Sequence, residues 1–91
     1  MEPTTIILGK EYDADVRRSL FRVLHDLNAE LVSEEQGVAG SQDLNIMNFR
    51  VGGEPLVVES ETYIGLSIQG EKSLVLLIQS LMNKHALVDP V

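Results

Sequence analysis

An α+β two-layer sandwich, folded as one domain over residues 1–91, follows from three features of the chain. The expected sheet is mainly antiparallel, with about five strands and two helices on one face, in the element order β-α-β-β-β-β-α. The first feature is Gly52-Gly53, set between two apolar runs whose faces match. Two consecutive glycines can both adopt positive φ, which a primed two-residue hairpin turn requires. Counting outward, Val51 falls opposite Glu54, Phe49 opposite Leu56 and Met47 opposite Val58. Large apolar side chains then share one face, and a one-residue slip would turn them all to water. The second feature is the alternation over 62–69, where Thr62, Ile64, Leu66 and Ile68 share a face. The third is a pair of apolar stripes at helical spacing, Val16-Leu20-Val23-Leu24-Leu27 and Leu74-Leu77-Ile78-Leu81-Met82.

Taken in order, Thr4 to Leu8 reads as a first strand ended by Gly9, and its consecutive Ile6, Ile7 and Leu8 predict burial on both faces. The helix from Ala14 to about Asn28 has Asp13 or Asp15 as its cap and Asn28 as a left-handed terminator. Glu30 to Gln36 reads as a second strand, joined to the first by a right-handed crossover at one edge. Gly37 to Asp43 is small and glycine-bearing, so a mobile loop is expected. Leu44 to Val51 and Pro55 to Glu59 are the arms of the diglycine hairpin, with Pro55 confined to a strand start or an edge. A three-residue loop before the fifth strand, rather than a two-residue turn at Ser60-Glu61, keeps Ile64 on the face of Val58. Ser73 is the expected cap of the last helix, which runs to about Ala86 with Pro90 beyond its end.

Composition limits the function. The chain carries 14 Asp and Glu against 7 Lys and Arg, a net charge of −7. Phosphate backbones and anionic membrane surfaces are repelled by such a balance, so neither nucleic acid nor membrane is an expected partner. The aromatics are Tyr12, Phe21, Phe49 and Tyr63, few for stacking bases, and the core must be aliphatic. With no cysteine, disulfides, thiolate chemistry and sulfur-ligated zinc are ruled out. Met1 to Thr5 lack the pattern of a signal peptide, and no apolar stretch approaches the roughly 20 residues of a membrane span, so a cytoplasmic location is expected.

Candidate chemistry is sparse. Gly65 to Ser73 approximates a phosphate-binding loop, but Glu71 stands between Gly70 and Lys72 and puts a carboxylate where phosphate would lie. A strand-to-helix junction is the better reading. The Asp13-x-Asp15 spacing lacks the glycine and distal glutamate of a calcium loop. Glu34 and Glu35 are adjacent in a strand and point to opposite faces, so they form no catalytic pair. His25 and His85 sit on different elements, and no serine lies in a nucleophile elbow. No catalytic residue, metal site or cofactor is expected, and the chain reads as a non-enzyme.

What remains is surface. Arg17, Arg18 and Arg22 form the one basic concentration, on the first helix, where Asp15–Arg18 and Arg22–Asp26 have ion-pair spacing. Phe21 lies off the main stripe of that helix, and Leu76 lies nearly opposite Leu74 and Leu81 on the last one. Phe21, Leu76, Arg17, Arg18 and Arg22 are therefore the candidate interaction surface. They point to a small acidic interaction or adaptor module that binds another protein or itself, most simply as a homodimer.

The run Thr5-Ile6-Ile7-Leu8-Gly9, followed by a helix ending Val23-Leu24-His25-Asp26-Leu27-Asn28-Ala29-Glu30-Leu31, loosely resembles the opening of small ligand-sensing βαβ domains of the ACT type. The likeness covers about a third of the chain. Asp13-Ala14-Asp15 stand where such domains carry a glycine for ligand approach, and the later elements follow another order, so no binding residue carries over. The resemblance implies an alternative function, a small-ligand-sensing regulatory domain, with its pocket near Gly9 to Asp15 and the loop Gly37 to Asp43.

Overall fold

The computed structural model describes the backbone of residues 3–9, 14–39, 42–61 and 65–88, and their side chains except at 38, 39, 42, 43 and 85–88. The elements are β1 (Thr4–Gly9), α1 (Ala14–Asp26), β2 (Glu30–Ala39), β3 (Gln42–Val51), β4 (Glu54–Glu61), β5 (Gly65–Gly70) and α2 (Lys72–Val88). They form a five-stranded antiparallel sheet in the order β1-β5-β4-β3-β2, with both helices on one face.

The hairpin at the centre has the predicted geometry. Gly52 and Gly53 take φ of 56° and 84°, and Val51↔Glu54, Phe49↔Leu56 and Met47↔Val58 are paired as counted. Pro55 sits one residue into β4, at its start, where its missing N–H removes no bond to β3 because Arg50↔Pro55 is not a hydrogen-bonded pair. Between β4 and β5, Glu61 pairs with Gly65, so three residues, 62–64, separate the strands. Leu66 and Ile68 thereby share the face of Leu56 and Val58, and that face is buried beneath Leu20, Val23 and Leu24 of α1 and Leu74, Val75, Ile78 and Met82 of α2.

Helix ends follow local chemistry. Asn28 stands at φ 58° just past α1, while its N–H bonds the His25 carbonyl and the Ala29 N–H bonds the Leu24 carbonyl. That pair of bonds is a Schellman termination, which consumes carbonyls the helix leaves unpaired. At the start of α2 the cap is Glu71, not Ser73. The Glu71 carboxylate accepts the Ser73 hydroxyl and the backbone N–H groups of Ser73 and Leu74, which hold it below the ordinary carboxylate range. A carboxylate reaching two orphan donors at the positive end of a helix outcompetes a hydroxyl one position inside it. The start of α1 at Asp13 lies outside the described residues.

Several other expectations are corrected. β1 and β2 point the same way but lie at opposite edges, so β1-α1-β2 is no edge crossover: α1 carries the chain across the whole sheet. β1 is not buried on both faces; Ile7 is exposed, because only Ile6 and Leu8 face the helices. The stretch Gly37 to Asp43 is largely strand, with Gly37↔Leu44, Val38↔Asp43 and Ala39↔Gln42 paired and only Gly40-Ser41 between. Leu77 leaves the predicted core stripe and is exposed, because Leu74, Val75, Ile78 and Met82 already fill the helix–sheet interface.

Candidate interaction surface

The sheet order leaves β2 without a strand partner on one side among the described residues. All of residues 30–37 are exposed, since neither helix reaches over this strand. β1 is the other edge, but it has six residues, a bulge between Ile7 and Gly9, and α2 packed beside it. β2 has ten residues and a bulge confined to Leu31–Ser33. Among the described residues it is the longer and less covered of the two edges.

Hydrogen-bond alternation shows which groups face out. Because Val51 and Glu54 flank a two-residue turn, the odd-numbered residues of β3 bond β4 and the even-numbered ones bond β2. Ser33, Glu35 and Gly37, opposite Asn48, Ile46 and Leu44, therefore spend their N–H and C=O groups on β3. Glu34, Gln36 and Val38 turn theirs to the open side. The side chains divide by face: Glu34 lies with Met47 on the helix side, Glu35 with Ile46 on the outer side. Asn48 Nδ2 donates to Ser33 Oγ at 3.0 Å, tying β2 to β3 on the outer face. Beside this pair runs an open groove of about 480 Å³, bounded by Glu35, Gln36 and Gly37 and floored by Leu44 and Ile46.

The surface residues picked from sequence do not form one patch. Phe21 is half-buried, its ring 6.4 Å from that of Phe49 and tilted by 56°, so it joins α1 to β3 and belongs to the fold. Arg17 lies over the Phe21 ring at 5.9 Å, a cation–π contact that shields the aromatic. Arg18 Nη1 meets Asp15 Oδ1 at 3.4 Å with both groups largely exposed, the solvated helix pair its spacing suggested. Arg22 is exposed on the same helix. Leu76, 44% exposed, sits on a different helix beside Leu77 at 46%. Sequence reasoning missed Leu31 and Val32, 51% and 54% exposed at the start of β2. Their residue types read as ordinary strand interior, and only the sheet order reveals an edge.

A second cavity of about 250 Å³ opens between β1, α1 and α2, lined by Leu8, Val16 and Met82 with Ser19, Gln79 and Asn83 among its polar groups. Ser19 Oγ is buried there without a hydrogen-bond partner among the described residues, and Asn45 Oδ1 on β3 likewise has none among them. The two regions expected to flank one ligand pocket are not brought together. Of the first region Asp15 borders this cavity and residues 10–13 lie outside the described residues, whereas Gly37 lies at the far edge, four strand spacings or about 19 Å from β1. Among the described residues no cluster of His, Asp or Glu has the arrangement of a metal site. None of their helices is long and apolar enough to cross a membrane. The side chain of His85 lies outside the described residues.

No family model, curated protein or solved structure matches this chain.

Proposed function

We propose that the chain is a non-catalytic protein-interaction module of the cytoplasm, and that it works by offering the β2 edge to another polypeptide. The observation that supports this reading is the open strand itself: Glu34, Gln36 and Val38 turn their backbone groups away from β3, and residues 30–37 are exposed on both faces and next to a groove. A sheet edge of this kind pairs readily with an added strand, whose main chain supplies affinity and whose side chains supply selectivity. In the same reading two copies associate through α2, around Leu76 and Leu77, and leave both β2 edges open. Sedimentation at micromolar concentration tests the dimer: the wild type should be dimeric, and Leu76→Asp with Leu77→Asp should give a monomer of unchanged melting temperature. A monomeric wild type removes the dimer and leaves the edge reading intact.

A second reading, the small-ligand sensor, is favoured by the cavity between β1, α1 and α2 and by the buried Ser19 Oγ, which has no hydrogen-bond partner among the described residues. Burying a hydroxyl without a partner costs about 1–3 kcal/mol, which a polar ligand accepting or donating at that oxygen would recover. Thermal shift with a panel of amino acids and nucleotides distinguishes the readings, since a ligand at a hundredfold excess over its Kd stabilises by about 2.7 kcal/mol. Silence across the panel counts against the sensor.

A further inference from the structure

We propose that the occupant of the β2 edge is an extended segment of a different protein with lysine or arginine at alternate positions, added as a further strand beside β2. This deepens the interaction reading and rests on it. Charge selects the occupant. β2 carries Glu30, Glu34 and Glu35 and no lysine or arginine. Glu30 lies opposite Arg50, whereas Glu34 and Glu35 make no ion pair with any described residue. One carboxylate thus stands on each face of the strand, and a basic residue on either face of an incoming strand meets an acid. Glu59 and Glu61 of β4 extend the negative surface across the outer face.

The groove refines the side-chain class. Gly37 has no Cβ, and nothing lies within 4 Å of where one would be, so the path from the edge to Leu44 and Ile46 is open. A lysine or arginine reaching in from an added strand can lay its methylene stem on Leu44 and Ile46 and keep its charge near Glu35. A second copy of this chain does not fit the same edge. A two-fold antiparallel pairing of β2 with itself, centred anywhere from Glu34 to Gln36, places Glu34 or Glu35 opposite or diagonal to its own equivalent. Like charges so placed are destabilising.

The test measures fluorescence anisotropy of two labelled peptides, one alternating Lys with Val and one alternating Glu with Val, against the full chain and two variants. Gln36→Pro deletes an outward N–H that β3 does not use, so it blocks strand addition while leaving the sheet paired. The double variant Glu34→Lys with Glu35→Lys reverses the charge of the edge. The lysine peptide should bind the wild type several-fold tighter than the glutamate peptide, as expected where the carboxylate on one face makes a cross-strand pair that is attractive for lysine and repulsive for glutamate. Gln36→Pro should weaken it about tenfold without lowering the melting temperature by more than a few degrees, and the double reversal should invert the preference. If both peptides bind alike and Gln36→Pro weakens both, the edge is real and the charge proposal is wrong. If the lysine peptide binds but Gln36→Pro leaves it unchanged, strand addition is wrong. Failure of both peptides to bind overturns the proposal together with the reading beneath it.

Discussion

Replacing Gly53 by alanine should destabilise the protein through the backbone alone. Gly52 and Gly53 hold φ of 56° and 84°, and a Cβ at either position would meet nothing within 4 Å. Steric clash with neighbours is therefore absent, and what remains is the cost of holding an L-residue in the left-handed region, about 1–2 kcal/mol per residue. At 84°, Gly53 lies beyond the usual left-handed well, so its cost should fall in the upper half of that range. In a domain of this size 1 kcal/mol moves the melting temperature by about 4–8 °C, so Gly53→Ala should lower it by roughly 6–16 °C. Gly37→Ala is the matched control: its Cβ also meets only open space, but its backbone is ordinary strand, where alanine is favoured over glycine by about 0.5–1 kcal/mol. Urea denaturation followed by circular dichroism should give a lower midpoint for Gly53→Ala, a midpoint equal to or above wild type for Gly37→Ala, and a common slope. A Gly53→Ala protein as stable as Gly37→Ala would refute the assignment of this turn and the register that depends on it.

Gly70→Ala should destabilise for a different reason: its Cβ would stand 3.1 Å from the Pro55 carbonyl oxygen and 3.3 Å from Leu56 Cδ1, and such overpacking typically costs about 1–3 kcal/mol by chemical denaturation. Leu56→Ala, at a fully buried position between β3 and β5, should cost about 2–5 kcal/mol in the same assay. Phe21→Ala should lose about 2 kcal/mol of stability with its contact to Phe49, yet leave the sedimentation coefficient unchanged, since Phe21 belongs to the core rather than to an interface. Glu71 carries a pH prediction. Its folded pKa is depressed, so the unfolded chain binds its proton first on acidification; the cap's contribution is complete above the ordinary carboxylate range and is lost as pH falls through the lowered folded value. The stability difference between wild type and Glu71→Ala, measured by urea titration at stepped pH, should shrink steadily below about pH 4.5.

Local chemistry was legible in the chain, and long-range order was not. The diglycine turn set the β3–β4 register residue by residue, because two positive φ angles and a matched apolar face leave one alignment. Asn28 closed α1 as its residue type suggested. The errors arose where a neighbour far along the chain decides the outcome. Ile6-Ile7-Leu8 looked doubly buried, but β1 is an edge strand, and Ile7 faces the side that no described helix covers. Gly37 to Asp43 looked like a loop on composition, and pairing with β3 made strand of most of it. The candidate surface fared in the same way. Arg18 and Leu76 are as exposed as their helical positions implied, whereas Phe21 found a partner in Phe49, nearly thirty residues away in sequence. The open edge, on which the functional reading rests, is a property of strand order, and no residue in β2 announces it.

Amide hydrogen exchange along β2, resolved residue by residue by NMR, tests that reading most directly. Slow exchange at Glu35 and Gly37 with fast exchange at Glu34, Gln36 and Val38 is the predicted alternation, and addition of the lysine peptide should protect the fast set selectively. Uniform protection, or protection that the peptide leaves unchanged, would mean that β2 is not the open strand from which the account is built.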